Sequence, residues 1–249
     1  MITGNKKIER VLLVQPPLMV HTDLSSEPKG IHPPIGLGYI AAVVEKDYEI
    51  QILDCVVEGF HTEIEVGPNR IRYGLTYDEI RARIESYKPD VVGVSNGFSS
   101  GFRQALSVCE EARKVNPEII TVVGGAHPSA VPAEVASCAP IDFVIIGEGE
   151  HTFRDLLGNI ENRAWSGLDG LAWKGNGDTV VNPKTTFIEN LDDLPWPALG
   201  ESQPFIDGLT GGPAEFPCSG FVDDVCLGCI CRELPGKIPA GEDLQSICC

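Results

Sequence analysis

Basic residues are scarce in this sequence. Its 249 residues include 19 Lys and Arg against 36 Asp and Glu, which gives a formal net charge of −17. A surface that binds nucleic acid needs positive charge to meet the phosphate groups, so this balance argues against DNA or RNA as a partner. The main consequence of the negative charge is solubility.

Long hydrophobic runs are also lacking. No apolar stretch approaches the roughly 18 residues that a membrane-spanning helix needs, and the first residues do not show a signal-peptide pattern. The hydrophobic content of 43% is that of an ordinary globular protein. We therefore expect a cytoplasmic protein without a membrane partner, whose oligomeric state the sequence does not indicate.

The standard nucleotide-binding loops are missing as well. The sequence contains neither a Walker loop nor a G-x-G-x-x-G fingerprint. Nucleotide binding in those two modes is therefore not expected.

What the first 160 residues do contain is a series of apolar runs that end in small or polar residues. Five such runs begin at Arg10, Tyr48, Asp90, Ile119 and Asp142, and stretches with helical spacing separate them. This alternation predicts an α/β fold with a parallel sheet covered on both faces by helices. With right-handed crossovers, we expect a doubly wound, flavodoxin-like or Rossmann-like sheet of five strands in the order 2-1-3-4-5, within a domain of residues 8–162.

The pattern changes after residue 162. Residues 170–174 and 179–182, with a glycine-rich turn between them, predict a small β-hairpin. An acidic, proline-rich stretch at residues 191–197 is typical of a linker, so residues 163–200 form a hairpin extension and linker. Residues 201–249 show no periodicity and contain six of the nine cysteines.

The turns after the predicted strands are the candidate ligand site. Ligands of parallel sheets bind outside the carboxyl ends of the strands, and glycine lets the backbone approach a ligand closely. The candidate residues share this edge of the sheet or the first helix: Ser95, Asn96, Gly97, Gly124, Gly125, His127, Pro128, Gly147, Glu148, Gly149, Pro16 and Gly36.

Three polar side chains near these turns allow more than one role. His127 could reach a ligand at the sheet edge or bond to the backbone of its own turn. For Glu148 we favour a ligand contact. For Glu150 we favour a place in the first turn of the last helix, where the helix dipole stabilises a carboxylate.

The spacing of two turns resembles that of cobalamin-binding domains. Ser95-Asn96-Gly97, followed by 26 residues and then Gly124-Gly125, is similar to the S-x-L and G-G pattern whose turns face the nucleotide tail in that family. Residues 54–59 lie where the family has D-x-H-x-x-G, with Val56 in place of histidine. Because valine has no donor atom, the resemblance implies that residue 56 cannot supply the lower cobalt ligand.

Four motifs over residues 10 to about 200 resemble the N-terminal half of cobalamin-dependent radical S-adenosylmethionine enzymes. They are residues 33–40 (PPIGLGYI), 123–129 (VGGAHPS), 144–150 (VIIGEGE) and 191–197 (LDDLPWP). The resemblance implies cobalamin as the cofactor. In the full-length family it also implies a 4Fe–4S cluster and S-adenosylmethionine, with methyl transfer or other radical rearrangements as the chemistry.

The cysteine-rich stretch departs from that family. The family has C-x-x-x-C-x-x-C, whereas Cys218, Cys226 and Cys229 are spaced C-x7-C-x2-C. These three could still bind zinc or an iron–sulfur cluster. The few residues beyond Cys229 cannot form a barrel of roughly 200 residues. We therefore expect residues 201–249 to be the truncated or frame-altered start of a radical domain, and this chain to bind its cofactor without completing the chemistry.

An alternative function is a stand-alone cobalamin-binding sensor or carrier that acts through a partner protein. The codons after residue 208 distinguish the two, because another reading frame that encodes C-x-x-x-C-x-x-C and a barrel would favour the enzyme.

The turn at Gly124-Gly125 gives a further expectation. If the tail of the cofactor runs past this turn, Gly125→Leu should weaken binding much more than folding.

Overall fold

The computed structural model describes residues 7–22, 29–175 and 177–198, and these contain two β-sheets. The strands are β1 (Arg10–Gln15), β2 (Leu18–His21), β3 (Glu49–Asp54), β4 (Glu63–Gly67), β5 (Arg70–Tyr73), β6 (Val91–Ser95), β7 (Ile120–Gly124), β8 (Phe143–Ile145), β9 (Leu171–Lys174) and β10 (Thr179–Asn182). The α-helices are α1 (Ile35–Val44), α2 (Cys55–Glu58), α3 (Tyr77–Tyr87), α4 (Phe102–Val115), α5 (Ala126–Ala130), α6 (Pro132–Ser137) and α7 (Glu150–Ile160).

The main sheet has seven strands in the order β10-β9-β8-β7-β6-β1-β3. From β3 to β8 all neighbours are parallel, and their order is the predicted 2-1-3-4-5. The residues of β1, β6, β7 and β8 are almost all buried, because helices cover both faces of the sheet. The predicted doubly wound fold is confirmed.

Two hydrophobic clusters lie on opposite faces of this sheet. Helices α1 and α7 pack on one face, where Leu37, Phe153 and Leu156 join Leu13 and Val122 from the strands. Helices α3, α4 and α6 pack on the other face. The helices are thus divided between the two faces in the way that a doubly wound connectivity requires.

The predicted hairpin does not stand apart from the main sheet. Strand β9 pairs antiparallel with β8, and β10 pairs antiparallel with β9. Leu171 and Ala172 of β9 have no exposed surface. The hairpin therefore covers the edge that β8 would otherwise present to solvent.

A second sheet of three antiparallel strands, in the order β2-β5-β4, lies within segments expected to be loops. These strands have four or five residues each, and most of their residues are exposed or half-buried. They follow β1 and the β3–α2 unit in the chain. From the sequence alone, residues 18–32 are predicted to be a long polar loop and residues 59–75 a long connection; that prediction is wrong where β2, β4 and β5 form.

Local sequence determines where two helices, α3 and α6, begin. The sequence T-x-x-E at residues 76–79 predicts a capping box, and the structure confirms it: Thr76 accepts a hydrogen bond from the Glu79 N–H, and the Glu79 carboxylate accepts from the Thr76 N–H. The helical spacing near residues 130–138 predicts one helix, which is α6; the short helix α5 before it was not expected. Val131 precedes Pro132 and has φ −134° and ψ 55°, because the proline ring disfavours the helical region for that residue.

Candidate ligand-binding cleft

A cleft of about 450 Å³ opens at the carboxyl ends of the central parallel strands, between α1 and α7. Strand β1 pairs with β3 on one side and β6 on the other, so the order of the strands reverses beside this cleft. In open α/β sheets such a switch point is where ligands bind. The lining residues are Leu13, Gln15, Pro33, Pro34, Ile35, Gly36, Leu37, Ile40, Gly93, Val94, Ser95, Val122, Gly124, Gly125, Ile145, Gly147, Glu148, Gly149, Glu150 and Phe153.

The floor of the cleft is a row of residues across three strands. Leu13 of β1 is aligned with Gly93 of β6, which in turn is aligned with Val122 of β7. A Cβ atom on Gly93 would lie 2.8 Å from Leu13 Cδ2 and 3.6 Å from the Phe153 ring. The glycine at the centre of the row therefore makes room for its neighbours, and the floor is apolar.

Gly36 provides open space in the α1 wall. It is an exposed helical residue, and a Cβ atom built on it would meet nothing within 4 Å. Glycine is unfavourable inside a helix, so neither propensity nor packing of the described residues accounts for it. A ligand that occupies this space would account for a glycine at residue 36.

The predicted site residues divide into two groups. Seven of them line the cleft: Ser95, Gly124, Gly125, Gly147, Glu148, Gly149 and Gly36. The other five are not among the lining residues: Pro16, Asn96, Gly97, His127 and Pro128. The lining residues that the sequence did not single out come mainly from the strand floor, α1 and α7.

Asn96 holds the turns after β6 and β7 together. Its backbone N–H donates to the Gly124 carbonyl over 2.7 Å, and its side-chain Nδ2 donates to the Phe98 carbonyl over 2.9 Å. Gly125 has φ +120°, and a Cβ atom there would lie 2.5 Å from the Asn96 carbonyl oxygen. Residue 125 must therefore be glycine for the fold itself, which overturns the expectation that Gly125→Leu affects binding more than folding.

His127 makes a contact that the sequence did not suggest. Its Nδ1 lies 3.0 Å from Ser99 Oγ, and its ring centroid lies 4.9 Å from that of Phe102. The partner of the ring is thus a side chain from the segment that follows β6.

The two glutamates of the Gly147–Glu150 turn both line the cleft but differ in their hydrogen bonds. Glu148 Oε2 accepts a hydrogen bond from the Ile188 N–H over 2.7 Å. Glu150 does begin α7, as predicted, but it also lines the cleft. Its Oε2 atom is shielded from solvent and has no hydrogen-bond partner among the described residues. Of the two carboxylates in the lining, Glu150 is thus the one with a buried oxygen that lacks a partner in the described part of the chain.

Residues 183–198, called here the strap, connect two walls of the cleft. Besides the bond from Ile188 to Glu148, the Ala198 N–H donates to the Gly38 carbonyl of α1 over 3.0 Å. Asp169 anchors the strap by accepting hydrogen bonds from the backbone and hydroxyl groups of Thr185 and Thr186. These bonds, with that of the Thr185 hydroxyl the strongest influence, hold the pKa of Asp169 well below its ordinary value.

Val56 occupies the position of the family histidine and is buried, with 3% of its surface exposed. The Asp54 side chain caps α2 by accepting from the Val56 and Val57 N–H groups over 2.9 and 3.1 Å. Burial raises the pKa of Asp54 despite these two bonds. Residue 56 therefore belongs to the interior and supplies no donor atom to the cleft.

A metal-binding cluster and a membrane-spanning helix are both absent from the part of the chain that the structure describes. No group of three or more His, Cys, Asp or Glu side chains is placed to hold a metal ion there. Cys218, Cys226 and Cys229, which were predicted as possible metal ligands, lie outside the described residues. Within the described ranges, no helix is both long and apolar enough to cross a membrane.

The chain belongs to the B12 binding domain family, whose sequence model matches residues 22–157. The resemblance seen in the sequence is thereby confirmed. Among characterised relatives, the chain is 33% identical over 210 residues to cytidylyl-2-hydroxyethylphosphonate methyltransferase of Streptomyces wedmorensis. That match covers 81% of this chain and 38% of the relative. An uncharacterised methyltransferase of Pyrococcus horikoshii, PH0819, is 30% identical over 194 residues, which is 77% of this chain and 38% of the relative.

Solved structures share the fold. The cobalamin-dependent S-adenosylmethionine radical enzyme OxsB with aqua-cobalamin bound matches 80% of this chain, with a TM-score of 0.58 and 20% identity, over 26% of its own length. The radical S-adenosylmethionine methyltransferase TsrM from Kitasatospora setae, with cobalamin and a 4Fe–4S cluster bound, matches 76% of this chain with a TM-score of 0.52 and 20% identity, over 31% of its own length. The chain thus spans well under half the length of these relatives.

Proposed function

We propose that the cleft holds the nucleotide arm of cobalamin, and that this chain is the cofactor-binding part of a cobalamin-dependent radical S-adenosylmethionine methyltransferase. The observation that carries the proposal is the cleft itself, which lies at the switch point and has an apolar floor and a glycine-lined rim. Cobalamin, when bound, supplies a cobalt centre for methyl-group chemistry.

The cleft is of a size to hold one arm of a corrinoid rather than the whole corrinoid molecule. A volume of about 450 Å³ suits a single small ligand or one arm of a large ligand. The floor residues exclude water from such an arm, and Ser95 at the end of β6 offers a hydroxyl group that can donate or accept. The space beside Gly36 admits atoms that a side chain would displace.

Binding can be tested directly with the full chain. We expect the purified protein to bind hydroxocobalamin, measured by equilibrium dialysis or by isothermal titration calorimetry. Failure to retain hydroxocobalamin at high micromolar concentration, in a sample with a cooperative thermal melt, would contradict the proposal.

We also propose that no histidine of the chain lies beneath the cobalt. Support comes from Val56, which has no donor atom and is buried, and from His127, which is not among the residues that line the cleft. The absorption spectrum of bound cobalamin should therefore be the same in the parent and in His127→Ala. A shift of the cobalt ligand-field bands in this variant would show histidine ligation.

The reaction of the complete enzyme is a further part of the proposal. The two relatives named above are methyltransferases, and the chain spans 38% of each. We assign methyl transfer, a 4Fe–4S cluster and S-adenosylmethionine to the complete enzyme, and cobalamin binding to this chain. A cytoplasmic location, and the absence of nucleic-acid and membrane partners, stay predictions that cell fractionation and binding assays can test.

A further inference from the structure

We propose that Glu150 is a specificity-determining residue of the cleft: its carboxylate accepts a hydrogen bond from an uncharged donor of the corrinoid, a carboxamide N–H or a ribose hydroxyl. The inference rests on the proposed function, because it names the chemical group that the same cleft selects.

The charges around the cleft restrict what can enter it. Among the residues that the structure describes, the lining of the cleft includes two carboxylates, Glu148 and Glu150, and no Lys, Arg or His. Lys184 packs against the Gly147 turn, but its Nζ donates to Thr152 Oγ1 over 3.0 Å and lies 3.6 Å from Asp169. A negatively charged ligand group would therefore meet two like charges and no free cation in the lining of the cleft, which disfavours its entry.

The two carboxylates are not equivalent. Glu148 already has a partner, because its Oε2 accepts from the Ile188 N–H. Glu150 Oε2 has been removed from water without gaining a partner among the described residues. A buried acceptor left unpaired costs free energy that a donor can recover. Glu150 also lines the cleft, so its carboxylate lies beside any ligand that the cleft holds.

A corrinoid offers two kinds of group to such an acceptor. Its ring carries carboxamide side chains, and its nucleotide arm carries ribose hydroxyls; both are neutral donors. The phosphodiester of the nucleotide arm is an anion without a hydrogen to donate. We therefore place a carboxamide or a hydroxyl against Glu150 and the phosphodiester away from it.

The experiment compares parent, Glu150→Gln and Glu134→Gln chains by equilibrium dialysis with three probes. These are hydroxocobalamin, its monocarboxylic acid derivatives and cobinamide, which lacks the nucleotide. Glu134 is a matched control, since it is an exposed acid in the first turn of α6 and does not line the cleft. Hydrogen bonds to charged groups are the stronger ones, so Glu150→Gln should weaken hydroxocobalamin binding about tenfold and Glu134→Gln less than twofold.

The probes identify the donor. If it is a carboxamide, at least one monocarboxylic acid binds the parent about tenfold more weakly than hydroxocobalamin, and Glu150→Gln reduces that difference. If it is a ribose hydroxyl, cobinamide binds the parent and Glu150→Gln equally.

Several results would overturn the inference. If Glu150→Gln keeps the parent affinity for hydroxocobalamin while the parent binds it well, the inference falls and the proposed function survives. If the parent binds no corrinoid, both fall. If Glu150→Gln fails to fold, the parent protein still tests the inference. Equal affinity of the parent for all the probes would exclude selection of a neutral donor in the cleft.

Discussion

Two glycines that line the same cleft, Gly125 and Gly36, differ in their surroundings. In the turn after β7, Gly125 has φ +120° and its hypothetical Cβ lies 2.5 Å from the Asn96 carbonyl oxygen. In the first turn of α1, Gly36 is helical and its hypothetical Cβ meets nothing within 4 Å. The first glycine is required by the protein's own backbone. The second leaves a space that the described part of the protein does not fill.

The comparison teaches that a glycine near a ligand site is not by itself evidence of ligand contact. Whether such a glycine serves the fold or a ligand depends on which atom lies nearest to the position that a side chain would occupy. At Gly125 that atom belongs to a neighbouring turn, so a substitution tests the fold. At Gly36 the nearest atom would be one of a bound ligand, so a substitution there tests ligand binding.

The largest expected effect is on folding, at Gly125. Gly125→Ala should lower the free energy of unfolding by about 3 kcal/mol, because the added methyl group collides with backbone in a conformation that alanine rarely adopts. The neighbouring Gly124→Ala is the control, since its Cβ would lie 3.5 Å from Ile145 Cβ, an ordinary contact. Denaturant titration of both variants measures the difference. Equal stability of the two would show that the β7 turn is not constrained as described.

The next effect is on binding, at Gly36. Gly36→Leu should weaken hydroxocobalamin binding by about 10- to 100-fold, because overfilling a packed site typically costs about 1–3 kcal/mol. Its melting temperature should stay the same or rise, since leucine favours the helix more than glycine does. Gly158→Leu is the matched control: Gly158 is an exposed glycine of α7 with open space around it and away from the cleft. If the Gly36→Leu and Gly158→Leu chains have the same affinity for hydroxocobalamin, α1 is not part of the binding site.

A smaller effect is expected at Ser95, which lies at the end of β6 in the lining of the cleft. Ser95→Ala adds no bulk and removes one hydroxyl group. We expect it to weaken binding by about 1 kcal/mol, the worth of one hydrogen bond, with little change in stability. Calorimetric titration beside a thermal melt separates the two quantities. Unchanged affinity would mean that the bound arm does not reach the end of β6.

The smallest effect concerns acid and the strap, whose Ala198 N–H donates to the Gly38 carbonyl of α1. Because the pKa of Asp169 is lowered in the folded protein, its contribution to stability is complete above the ordinary aspartate pKa of about 3.9. It is lost as the pH falls through the lowered value. Amide hydrogen exchange at Thr185 and Thr186 should therefore lose protection in acid, while exchange at Asn96 should be less affected. In Asp169→Asn this acid-dependent loss should disappear, and its persistence would assign it to another group.

The parallel core was predictable because its signals are local. Each buried strand is a short apolar run, and the turns that follow the runs at Ser95, Gly124 and Gly147 place one edge of the sheet. The capping box of Thr76 and Glu79 likewise lies within four residues. Such features depend on neighbours in the chain, so the sequence alone is enough.

The second sheet and the walls of the cleft depend on contacts between distant segments. Strands β4 and β5 do alternate charged and apolar residues, as in Glu63-Ile64-Glu65 and Arg70-Ile71-Arg72, and this local hairpin signal was overlooked; their pairing with β2, in contrast, joins distant segments. The Glu148 contact with residue 188 spans 40 residues, and no local pattern could show which glutamate would be occupied. For this reason the bond from Ile188 to Glu148 and the place of Glu150 in the cleft lining could not be predicted, although the start of α7 at Glu150 could.

The pairing of β9 with β8 has a practical consequence for anyone who cuts the chain. The family match stops at residue 157, and a fragment that ends there would lack β9 and β10. The backbone of Phe143, Val144 and Ile145 would then be open to pairing with another molecule, and the apolar surface beneath Leu171 would be bare. Unpaired apolar edge strands are aggregation sites. A fragment suited to soluble expression should therefore include β9 and β10, and so extend at least to Asn182.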